Sequence, residues 1–136
     1  METQTQALKV FLADDSAMIR QRVASLLAEQ AAGMAIVGEG VTPRACIEGI
    51  LATHPDVVVL DAQLEGGQGL EVLRAVKPAA PEIAFVVFSN NAGPAYRKRY
   101  LGAGASRFLD KSADFDQLAA AVTAAAHPAS PSQLSS

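Results

Sequence analysis

The chain has 136 residues, half of them hydrophobic and only 5 % aromatic, with a formal net charge of -3. That length implies one domain with one real core, and the acidic balance excludes the basic field that concentrates a protein on nucleic acid or anionic lipid, so neither is expected as a direct partner. The single cysteine, Cys46, excludes an internal disulfide, and no cysteine or histidine cluster suggests zinc.

In chain order, METQTQALK lacks the apolar region of a signal peptide, and no run approaches the ~20 apolar residues of a membrane span. A soluble, cytoplasmic protein is expected, with residues 1–7 as an extension. Strand-like runs then recur: LKVFLA (8–13), MAIVGE (34–39), DVVVL (56–60), IAFVVF (83–88) and SRFL (106–109). Each precedes a helical pattern. Ser16 can cap the first helix, whose Ile19, Val23, Leu26 and Leu27 share a face. Pro43 suits the first turn of the second, which carries Ile47, Ile50 and Leu51 and stops before Pro55. The third presents Leu70, Leu73 and Val76 and is expected to end at Pro78; the fourth starts near Pro94; the fifth runs from about Ala113 to Ala126. Five alternating pairs over 8–126 imply an α/β fold with a parallel sheet and helices on both faces. The tail 127–136, HPASPSQLSS, has no apolar periodicity and is expected to be flexible.

An open parallel sheet binds ligands beyond the carboxyl ends of its strands. Asp14 and Asp15 leave the first strand, Asp61 the third and Ser89 the fourth, while Lys111 follows the fifth; the second exits through Gly38, Glu39 and Gly40. In the strand order 2-1-3-4-5 the three carboxylates converge. Two like charges at ~4 Å repel by about 4 kcal/mol at an effective dielectric near 20, so three need compensation. An all-oxygen site that keeps several waters suits magnesium. With Lys111 as a cation and Ser89 as a hydroxyl donor, the cleft suits a phosphoryl group, and Asp61 is the candidate nucleophile. Taken singly, each aspartate is also a turn former or helix cap, Ser89 a loop residue and Lys111 a solvated lysine. Their joint placement on one edge carries the functional reading.

At FLADDS, VVVLD, VVFSN and FLDKS the sequence resembles a receiver domain of bacterial two-component response regulators, over about residues 8–126. The resemblance implies a flavodoxin-like fold in which Asp61 accepts phosphate from a sensor histidine kinase or histidine phosphotransfer protein. It implies that Asp14, Asp15, Asp61 and the backbone carbonyl of Gln63 hold Mg2+, and that Ser89 and Lys111 contact the phosphoryl group. Phe108 takes the place of the family's switch aromatic, moving with Ser89; it reads equally as a core residue. The family's usual output face places Tyr96, Arg97, Lys98, Arg99 and Tyr100 of the fourth helix as a docking surface for an acidic partner, against the plainer reading of a solvated helix face.

Three positions depart from the family pattern. Glu65 stands where proline is frequent, so a looser loop is expected, with a carboxylate near the site. Asn90 replaces a smaller residue and is expected to restrict access to the phosphoryl group. Ser112 replaces proline after Lys111, leaving that peptide bond trans. The chain is expected to act alone as a receiver, switching a partner or carrying phosphate, with no enzymatic activity beyond its own phosphorylation and dephosphorylation. A receiver that signals without phosphorylation is the alternative. An aspartate-nucleophile phosphatase would need an acid two residues after its nucleophile, where Ser16 and Gln63 stand; a flavodoxin-like binding module would need a phosphate loop in place of ADDSA.

Overall fold

The computed structural model describes residues 7–30 and 33–126, so the expected tail and all but the last residue of the expected extension lie outside the described residues. Five parallel strands alternate with five helices: β1 (Leu8–Ala13), α1 (Ala17–Gln30), β2 (Met34–Gly40), α2 (Pro43–Thr53), β3 (Val57–Leu60), α3 (Gly69–Ala79), β4 (Ala84–Ser89), α4 (Pro94–Gly102), β5 (Arg107–Asp110) and α5 (Leu118–Ala126). The sheet order is β2-β1-β3-β4-β5, the flavodoxin-like arrangement expected from the sequence.

Strand alternation divides the interior into two layers, because successive side chains point to opposite faces. Phe11, Val58, Leu60, Phe85 and Val87 pack with Ile50, Leu73, Val76 and Tyr100 on the side of α2, α3 and α4. Val10, Leu12, Val57, Val59, Val86 and Phe88 pack with Val23, Leu27, Leu118 and Val122 of α1 and α5. A bulge between Val10 and Phe11 shifts the β1–β2 register, and the Phe11 ring there fills space that a Cβ on Gly38 or Gly49 would occupy.

Two helix boundaries differ from expectation. α3 runs through Pro78 to Ala79; this late in the helix, the missing N–H forfeits one bond, and Ala80 N still closes on the Val76 carbonyl at 2.7 Å. At the other end, Ala113 and Asp114 are not helical. Asp110 accepts from Ser112 N and Oγ, both at 2.8 Å, and Asp114 accepts from Asp110 N at 2.9 Å. These side-chain bonds hold 110–114 as a turn, so a 3-10 turn at Phe115–Gln117 leads into α5.

The expected docking surface on α4 also needs correction. Tyr100 is core, only 2 % exposed. Its hydroxyl accepts from Leu70 N at 3.1 Å and donates to the Ala62 carbonyl at 3.2 Å. Arg97 Nη1 donates to the Phe108 carbonyl at 2.8 Å, and its guanidinium lies 5.1 Å from the Phe108 ring centroid. Tyr96 is half-buried against the same core. A helical stretch as charged as RKR reads as solvated from sequence, yet one turn of it is turned onto β5; Lys98 and Arg99 remain exposed.

Because Tyr100 satisfies the buried start of α3, Tyr100→Phe strands the Leu70 N–H. A loss of about 1–3 kcal/mol is expected in urea unfolding; unchanged stability would show that the hydroxyl bonds contribute nothing net.

Candidate functional site

The site lies at the carboxyl edge of the sheet, and the backbone ladder extends into it. Asp14 N donates to the Gly40 carbonyl at 3.1 Å, Asp61 N to Ala13 at 2.8 Å and Lys111 N to Ser89 at 2.9 Å. Asp14, Asp61 and Lys111 are thus each held one step past a strand. Asp14 Oδ1 accepts from Ser16 N at 2.9 Å, and Ser16 Oγ caps α1 through Ile19 N at 3.2 Å. Asp61 Oδ1 accepts from Gln63 N at 3.2 Å.

The three carboxylates converge as the strand order requires: oxygens of Asp14, Asp15 and Asp61 lie within 4.8 Å of one another. Lys111 Nζ bridges two of them, 2.8 Å from Asp14 Oδ2 and 2.9 Å from Asp61 Oδ2, with side chains only 7 and 9 % exposed. Asp15 is exposed. Burial pushes the Asp61 carboxyl above its usual range, against the pull of its hydrogen bond to Lys111 and the ammonium charge, and the Asp14 charge pushes it further up. Burial pulls Lys111 down, but its hydrogen bonds to Asp14 and Asp61 outweigh that and leave it raised. One ammonium serves two carboxylates.

Three hard oxygen donors beside an open cleft fit a divalent cation such as magnesium. The cleft is a cavity of about 440 Å³ whose lining includes Asp15, Asp61, Gln63, Ser89, Asn90 and Lys111. Ser89 is buried, and its Oγ accepts from Asn91 N at 3.1 Å. Asn90 stands exposed at the mouth. Phe108 is buried, edge-on to Tyr100 with ring centroids 5.8 Å apart.

Glu65 differs from expectation. It is exposed and does not line the cavity. The loop is tied down: Gln63–Leu64 pairs antiparallel with Gly67–Gln68, and Glu65 N donates to the Val41 carbonyl at 3.0 Å. A proline at 65 could not make that bond. The described peptide bonds, including that after Lys111, are trans.

Sequence reasoning missed two supporting residues. Arg20 Nη1 donates to the Asp14 carbonyl at 2.7 Å while its Nε pairs with Glu39 at 2.8 Å, bracing the β1 exit against β2. At Gly69, the first residue of α3, any Cβ would collide with the Asp61 carbonyl oxygen. The glycine-rich GGQG was a usable signal for the second; nothing local marks Arg20.

Residues 10–123 match the family model of the response regulator receiver domain. A protein-glutamate methylesterase/protein-glutamine glutaminase of Nocardioides sp. is 30 % identical over 109 residues, covering 79 % of this chain and 30 % of the relative. The transcriptional regulatory protein DesR of Bacillus subtilis is 29 % identical over 115 residues, covering 85 % of this chain and 56 % of DesR. The chain therefore spans from 30 % to 56 % of these relatives' own length. Among solved structures, a two-component response regulator of the LuxR family from Aurantimonas sp. SI85-9A1 is similar with a TM-score of 0.84 at 27 % identity, covering 96 % of this chain and 94 % of that one.

A carboxyl raised by folding carries a charge that the folded state tolerates less well than the unfolded chain. That cost is present at neutral pH and is lost as pH falls through the folded pKa. Asp61→Asn removes the charge while Lys111 keeps Asp14. In the absence of divalent cations it is expected to unfold at a higher temperature than wild type at neutral pH, with the gap narrowing on acidification; a lower midpoint would contradict the crowding.

Proposed function

The chain belongs to the response regulator receiver domain family, and from that premise we propose that it is a phosphoryl-accepting switch in which Asp61 takes phosphate from a histidine kinase or histidine phosphotransfer protein. The observation that carries the reading is the Lys111 ammonium bridging Asp14 and Asp61 at the cavity that Ser89 lines. It sets a nucleophilic carboxylate, a paired ammonium and a hydroxyl around one space.

Asp14, Asp15, Asp61 and the Gln63 carbonyl would hold Mg2+, which when bound supplies positive charge for the equatorial phosphoryl oxygens. An Asp61 oxygen attacks the phosphorus of a phosphohistidine. The phosphorus–nitrogen bond breaks, and the imidazole leaves with the electron pair and takes a proton from water. Lys111 exchanges a carboxylate for a phosphoryl oxygen, keeping its charge paired. Because Ser89 Oγ already accepts from Asn91 N, its own hydrogen is free to donate. Attack of water on the acyl phosphate returns the carboxylate and inorganic phosphate. No enzymatic role beyond this cycle is proposed.

The receiver unit is proposed to span 8–126, with Phe108 as the aromatic that responds to Ser89. Arg97 across its ring would resist that motion. The reading places the protein with a cytoplasmic phosphoryl source, and no described helix is long and apolar enough to cross a membrane. Signalling without phosphorylation remains the alternative outcome of the test.

Incubation with acetyl phosphate and Mg2+ should add one phosphoryl group to wild type by intact mass, and none to Asp61→Ala or with the cation chelated. A wild type that stays unmodified, or a variant that is modified, would overturn the assignment. Asn90→Ala opens the mouth of the cavity and is expected to speed phosphorylation and hydrolysis; unchanged rates would show that Asn90 does not restrict access.

A further inference from the structure

α4 presents Ala95, Lys98, Arg99 and Gly102 at i, i+3, i+4 and i+7, a single helical stripe. α3 presents Arg74, Lys77 and Pro78 at i, i+3 and i+4. The two stripes line an open groove of about 700 Å³. The groove gathers four of the chain's 11 lysines and arginines, although the net charge is -3, and no carboxylate lines it. Lys77 is committed to the carbonyls of Pro81 and Ile83, both at 2.9 Å. Arg74, Lys98 and Arg99 are exposed, and among the described residues none has an ion pair.

We infer that this groove, rather than the α4 surface over β5, docks an acidic helical segment of a partner protein. The cations call for an anion, and the apolar lining selects which kind. Pro78, Ala95, Gly102 and Ala103 are small, so a helix backbone can approach closely. No aromatic ring lines the groove, so a nucleotide or single-stranded nucleic acid would find no base-stacking platform. From Ala95 to Gly102 is about 10 Å, two helical turns. Carboxylates one turn apart on an incoming helix can reach Arg99 and Lys98 from one edge and Arg74 from the other, and the guanidinium forks suit carboxylates.

The groove is also joined to the phosphoacceptor loop. The Ala62 carbonyl, next to Asp61, accepts from Gly69 N of α3 at 2.8 Å and from the Tyr100 hydroxyl of α4 at 3.2 Å. Both walls thus hold one peptide group, so a change at Asp61 reaches the groove. This coupling, unlike the docking, rests on the phosphoacceptor reading.

The test is a displayed library of helical peptides selected on wild type, with winners measured by fluorescence anisotropy. Enriched peptides should carry a one-sided surplus of Asp and Glu and weaken about tenfold or more on Arg74→Glu/Arg99→Glu, with the milder Arg74→Ala and Arg99→Ala each weakening binding in a fold checked by circular dichroism. No enrichment, neutral or basic winners, affinity unmoved by the substitutions, or inorganic tripolyphosphate displacing the peptide at equal concentration would overturn the docking. Beryllofluoride with Mg2+ should shift peptide affinity in wild type and less in Tyr100→Phe. If it binds Asp61 without any shift, only the coupling falls; if it does not bind, the phosphoacceptor reading falls and the docking stands.

Discussion

The Lys111 ammonium between the Asp14 and Asp61 carboxylates is the contact on which the site depends. Parallel strands in this order force two acidic exits side by side, and burial makes their repulsion worse. A buried charge left unpaired costs several kcal/mol, so the strand that brings Lys111 is as necessary to the fold's acidic edge as the strands that bring the aspartates. The balance is incomplete, because one cation faces two buried carboxylates and a third exposed one. That residual negative charge suits the edge to a divalent cation, at a cost in stability.

Backbone geometry makes the arrangement rigid. The sheet ladder continues through Asp14, Asp61 and Lys111, so none of them depends on a loop for its position. Arg20 braces the first exit. The second is enclosed by Gly69, whose lack of a side chain lets α3 start against the Asp61 carbonyl, and by Tyr100, which reaches from α4 to the same loop. Helices on one side of the sheet are therefore joined to Asp61 through a few named atoms. The same helices form the cationic groove.

Much of this was legible in the sequence. Continuous runs such as VVVL belong to strands buried on both faces, and the alternation of runs and helices leaves few topologies. Given that topology, Asp14, Asp15, Asp61, Ser89 and Lys111 had to share an edge. What escaped was whatever depends on the third dimension within a short segment. RKRY reads as surface, because nothing in four letters says that Arg97 folds back over Phe108 or that the Tyr100 ring enters the core. Glu65 reads as a gap left by proline, whereas its value is a backbone N–H bonded to Val41. Pro78 reads as a stop, but a proline in the last turn forfeits too little to end the helix. Side-chain bonds between Asp110 and Asp114 delayed a helix that composition alone would have begun earlier.

The claim under all of this is that folding buries the Asp61 carboxylate and sets the Asp14 charge beside it. The most direct measurement is the titration of the Asp61 carboxyl carbon by NMR without divalent cations, in wild type and in Asp14→Asn. The account predicts a wild-type midpoint above that of an ordinary aspartate, and a lower one once the Asp14 charge is gone. A midpoint at or below the ordinary value, or one indifferent to Asp14, would contradict it.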